Sequence, residues 1–90
     1  MIEVDQMALD AFVLHDVRYA LGRLTWVTGE CAERVRRFWP HLSANMRKVV
    51  RRDVREHVER LAHGPAPYDD ADKIARVWMP LLEWMEAWDD

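Results

Sequence analysis

One cysteine, three glycines and four prolines in 90 residues leave this chain few ways to be stapled or interrupted. A single cysteine, Cys31, cannot close an intramolecular disulfide, so stability has to come from burial. No apolar run approaches the ~20 residues that span a bilayer, and the N-terminus shows no signal-peptide pattern. A reducing cytoplasm is therefore the expected setting, with no membrane partner. His15, His41, His57 and His63 form no helical ligand pair, and the acidic run at residues 69–72 lacks the rest of a calcium loop. No metal or cofactor is expected. Internal repeats, low-complexity tracts and the helix-turn-helix or zinc-finger signatures are absent as well.

What is present is apolar mass and charge in blocks. Half the residues are apolar and five are tryptophan, each able to remove about 150 to 250 Å² from water. A domain this small buries roughly 60 to 65% of its unfolded surface, so one globular domain over residues 1–90 with a thin stability margin is expected. The net charge of −3 divides into −4 over residues 1–33, +6 over residues 34–60 and −5 over residues 61–90. A cationic middle between acidic ends presents different fields to a partner on different faces, which points to binding and not to chemistry.

Helix-breaking residues gather at Gly22, around Pro40, and from His63 to Asp70. Between them the apolar residues recur at helical spacing. Residues 7–21 collect Val13, Leu14, Val17, Ala20 and Leu21 on one side, and residues 28–39 collect Val27, Cys31, Val35 and Phe38. A third helix runs from a Ser43 cap to near Gly64 on the stripe Met46, Val50, Val54, Val58 and Leu61. The fourth, capped by Asp69 or Asp70, aligns Ile74, Val77, Trp78, Leu81, Trp84, Met85 and Trp88 across Pro80. The expected fold is all-α, a compact antiparallel bundle of four helices, or five if Pro80 divides the last.

Asp53 and His57 interrupt the third apolar stripe four residues apart, on one helix face. A carboxylate there must be paired or protonated, and His57, Arg23 and the Tyr19 hydroxyl are the candidate partners. An Asp-oriented histidine acting as a general base needs a nucleophile or substrate beside it, and none is apparent. Cys31 lies on an apolar stripe and reads as core filler. The pair is expected to be a buried tie between helices, with no catalytic residue in the chain.

Two surfaces offer binding. Lys48, Arg51, Arg52 and Arg55 on the third helix, with Arg36 and Arg37 on the second, form a basic face able to hold phosphates or an acidic partner. Glu56 and Glu59 interrupt it, which makes nucleic acid the weaker reading. At the other end Trp84 and Trp88 are bordered by Glu83, Glu86, Asp89 and Asp90, a combination suited to a cationic protein surface or to a homodimer contact.

The run from Arg18 to Arg23 with Thr25 and Trp26, followed by Leu42, Ser43, Arg52 and Asp53, resembles a family of small phage and prophage proteins of unknown function. They share Arg-Tyr-Ala-Leu-Gly-Arg, one variable residue, Thr and an aromatic. The likeness covers about half the chain and stops before the tryptophan-rich end. Trp26 stands where Tyr is usual and Val54 where Ile is commoner. The resemblance implies a phage accessory protein in the host cytoplasm, a class that includes inhibitors of host defence such as anti-CRISPR proteins, with another protein, such as a host complex, as partner. It carries no catalytic residue across. Within the motif, Gly22 is expected to make the turn, Thr25 or Thr28 to cap the second helix, and Arg23 to reach Asp53.

Overall fold

Asp5 opens the first helix, α1 (Gln6–Ala20), by accepting the Met7 N–H on its carboxylate at 3.0 Å, and the helix closes where the Leu21 N–H reaches the Val17 carbonyl. The computed structural model describes residues 5–21, 25–63 and 74–88, with side chains for 5–21, 28–60 and 76–88. Then follow α2 (Thr25–Phe38), a 3-10 turn at Trp39–His41, and α3 (Ala44–His63). A π-helical turn at Ile74–Trp78 leads into α4 (Met79–Ala87), and no strand occurs among the described residues. The fold is the expected all-α bundle.

Local chemistry sets the joints. Ser43 caps α3, its hydroxyl accepting the Met46 N–H at 3.1 Å. Thr28 is not a cap: α2 begins at Thr25, which places Thr28 inside the helix and wholly buried. Pro80 does not break the last helical segment into two helices: Trp78 keeps α-helical dihedrals, and the helix changes only from π to α geometry there. Pro80 sits in the first turn of α4 and has no N–H to give to the carbonyl four residues earlier, and the ladder before it widens to π geometry. The Asp69 and Asp70 caps and the Gly22 turn lie outside the described residues.

The core takes Val13, Val17 and Ala20 from α1, Cys31, Ala32 and Val35 from α2, Val50, Val54 and Val58 from α3, and Trp78, Leu81 and Met85 from α4 and the turn before it. Each large side chain so buried stabilises the fold by about 1.5 to 3 kcal/mol. Leu14, Leu21, Phe38, Met46, Val77, Trp84 and Trp88 pack against the core from its edge. Val27, Leu61 and Ile74 fall outside the described side chains. Trp39, in line with Cys31 and Val35 at four-residue spacing, and Leu42 join the core from the turn.

Cross-helix contacts give the direction of each helix. Phe12 meets Phe38 and Asp16 meets Arg34, so α1 and α2 are antiparallel. Asp10 meets Ser43 and Arg18 meets Asp53, so α3 runs parallel to α1. Arg55 meets Glu86 and His57 meets Trp78, so α4 returns antiparallel to α3. The result is an up-down-up-down bundle.

At the α1–α3 joint the Asp10 carboxylate accepts the Ser43 hydroxyl at 2.6 Å, the Ser43 N–H at 3.1 Å and the Gln6 amide at 2.9 Å. Burial pushes this carboxyl upward, but the Ser43 side chain and backbone, then Gln6, then the Arg47 charge outweigh it and hold its pKa below the ordinary 3.8. A depressed folded value stabilises the protein fully above 3.8 and loses that contribution as pH falls through the folded value. Asp10→Asn should therefore lower the melting temperature at pH 7, and the gap to wild type should narrow below 3.8, read from thermal melts by circular dichroism across pH. Trp39→Ala should cost about 3 to 5 kcal/mol, much of the stability of a domain this size, and Trp39→Phe less than half of that, measured by urea titration.

Candidate functional site

Trp39, Trp84 and Trp88 form a continuous aromatic ladder from the core to the acidic end of the molecule. Trp39 is fully buried; Trp84 meets it edge-on with centroids 6.0 Å apart, and Trp88 lies 5.5 Å from Trp84 at 44°. Trp84 and Trp88 are each half-buried, because positions 84 and 88 are one turn apart on the edge of the α4 stripe. The ladder holds their exposed edges in place. Beside them Glu83 faces solvent, Met79 is 41% exposed, and Glu86 accepts from the Arg55 guanidinium at 3.1 and 3.2 Å. Asp89 and Asp90 lie outside the described residues.

The basic face is less uniform than its sequence. Arg51 leaves it, placing its guanidinium 5.7 Å from the Trp39 ring centroid in a cation–π contact. Arg55 is engaged by Glu86, and Arg52 reaches Asp53 at 3.4 Å. Lys48 and Arg37 are exposed and Arg36 half-buried, and among the described residues none of the three makes an ion pair.

Asp53 is paired across helices, but by a largely exposed residue, Arg18, which is not one of the three expected partners. The Arg18 Nε donates to Oδ2 at 2.9 Å, while the Asp53 side chain is only 13% exposed. Arg18 was not among the expected partners, since it belongs to the exposed flank of α1; what brings it across is the parallel run of α1 beside α3. Arg23 lies outside the described residues, and Tyr19 is 51% exposed. His57 is buried with its ring edge-on to Trp78 at 6.0 Å.

A second tie was not read from the sequence: Arg34 grips Asp16 through Nε at 2.8 Å and a terminal nitrogen at 3.0 Å. The signal for it was a charged residue of each sign bordering the facing stripes of α1 and α2. The Asp16 hydrogen bond raises the Arg34 pKa further. Beside this fork Cys31 is wholly buried, and its thiol is pushed up to about 12, first by burial and then by the Asp16 charge and hydrogen bond.

A cavity of about 520 Å³ opens between α1 and the 3-10 turn, lined by Gln6, Leu9, Phe38, Pro40, His41 and Leu42. It contains neither Asp53 nor His57. Among the described residues no group of three or more His, Cys, Asp or Glu could hold a metal ion, and no helix is long and apolar enough to cross a membrane. Compared with models of protein families, with curated proteins and with solved structures, the chain finds no match.

Asp53→Ala leaves Arg18, 56% exposed, free to solvate, and should cost about 1 to 2 kcal/mol. Arg18→Ala leaves the Asp53 carboxylate with Arg52 alone, 3.4 Å away, and, the pair being partly exposed, should cost about 1 kcal/mol. Because the two share one interaction, the double variant should cost less than the sum, measured as a double-mutant cycle in urea.

Proposed function

We propose that this chain is a non-enzymatic protein-binding module that acts by occupying the surface of another macromolecule through the acidic, aromatic end of α4. The observation that carries this reading is the aromatic ladder. Half-exposed indoles anchored on a buried one are rigid before any partner arrives, so binding loses little side-chain entropy, and tryptophan is enriched among residues that dominate interface energies. Glu83 at its border favours a cationic partner and speeds the encounter. The groups with chemical potential support the non-enzymatic reading: the Cys31 thiol is buried, the Asp53 carboxylate is engaged by two guanidiniums, and the His57 ring is buried on Trp78.

The finer reading is a phage-encoded inhibitor of a host defence complex, anti-CRISPR-like, working in the host cytoplasm by steric and electrostatic occlusion. It rests on the motif resemblance. Arg18 and Asp53, from the two halves of that motif, are ion-paired, and Ser43 caps α3, so the motif encodes architecture and leaves the target to other residues.

A second reading, nucleic-acid binding on the basic face, is favoured by one observation. Arg18 and Arg52 share a single carboxylate, and Lys48 one turn earlier adds to their surplus charge. Purifying a tagged copy from infected or lysogenic cells separates the two. Trp88→Ala combined with Glu83→Lys should keep the helical spectrum and weaken the copurifying protein's affinity about 10- to 100-fold. Lys48→Glu with Arg52→Glu should leave that affinity intact; loss of salt-dependent DNA or RNA binding in this pair, with no protein partner in the first, would transfer the function to the basic face.

A further inference from the structure

We infer that the outer face of α1 is a contact surface between two copies of this chain, arranged antiparallel about a two-fold axis. The inference stands apart from the partner-binding reading of α4. Ala8, Phe12, His15 and Tyr19 recur at intervals of four, three and four residues, so they form one stripe, and all four are exposed, Phe12 and Tyr19 each by 51%. In a chain that is 32% charged, this stripe holds no Lys, Arg, Asp or Glu.

The flanking charges are turned inward. Among the described residues beside the stripe, Asp10 is bound to Ser43, Asp16 to Arg34, and Arg18 to Asp53, each within its own copy. What remains outward is uncharged surface of the kind that marks an interaction site. The four residues of this stripe oppose no like charges when two copies meet.

Its size pattern is complementary to itself. Small Ala8 stands at one end of the stripe and large Tyr19 at the other, with Phe12 and His15 between. A two-fold axis between residues 13 and 14 sets Tyr19 of each copy over Ala8 of the other and Phe12 opposite His15, bulk against gap along the whole pair. Phe12 is held for this by its edge-on contact with Phe38, 6.2 Å between centroids. Phe38 also lines the 520 Å³ cavity, as does Leu9, the neighbour of Ala8, so the Tyr19 ring of the second copy arrives at the cavity's rim. A helix of 15 residues is about 22 Å long, and its pairing covers less than the roughly 800 Å² per partner of a standard interface. The dimer is therefore a weak, reversible one.

Sedimentation or light scattering of the full chain from about 1 to 500 µM, a range that reaches weak association, tests this. The apparent mass of wild type should climb from 10.7 kDa towards twice that value. Ala8→Glu, a helix-compatible change at an exposed position, and Tyr19→Lys should each shift dissociation at least tenfold weaker with the helical spectrum retained. An equimolar mixture of the two should restore association, because the carboxylate introduced on one copy then faces the ammonium introduced on the other. A wild type that stays monomeric throughout, or Ala8→Glu dimerising undiminished, overturns the interface; two weakened variants that fail to complement overturn the antiparallel arrangement. Retained partner capture by an Ala8→Glu variant that has lost self-association would leave the α4 reading standing by itself.

Discussion

Trp39 fills the space where α2 ends, α3 begins and α4 returns, and its complete burial ties three helices through one ring. The residue sits in a 3-10 turn next to Pro40, a position with few backbone donors of its own. Neighbouring side chains supply what the backbone lacks. Arg47 donates to the carbonyls of Trp39 and Leu42, Gln6 to that of His41, and Arg51 lies over the indole face. Burying so large a ring at a joint offsets the entropy of fixing that joint. The direction in which α3 leaves, and hence its parallel course beside α1, follows from this arrangement.

The parallel course is also where reading from sequence reached its limit. Apolar periodicity depends only on which face of each helix is buried, and so the stripes and the Ser43 cap were legible. The same logic located Asp53 as a carboxylate that had to be paired. Naming Arg18 as its partner requires knowing that α1 and α3 lie side by side in register, which is a property of three dimensions. Thr28 is a good cap by residue type; only the start of α2 three residues earlier, at Thr25, excludes it. Trp39 stands four residues after Val35 and eight after Cys31, in line with the α2 stripe; what spacing did not show is that the helix gives way to a 3-10 turn at that residue.

The ionic pattern was legible as blocks and misleading as surfaces. Nine basic residues between 34 and 60 read as a cationic face, yet the fold engages several of them internally, on Asp16, Glu86, Asp53 and the Trp39 ring. Exposed pairs such as Arg55 with Glu86 contribute little to stability, about 0.2 to 1 kcal/mol, but they change what an approaching molecule meets. The tryptophans of α4 behave in the opposite way, since stacking fixes them without hiding them.

The seclusion of Cys31 makes this molecule its own clock. Its sulfur is sealed behind the Asp16 and Arg34 fork, where α1 faces α2, and a small electrophile can reach it only when that seam parts. The rate at which the thiol is trapped thus registers opening of the core where α1 and α2 meet.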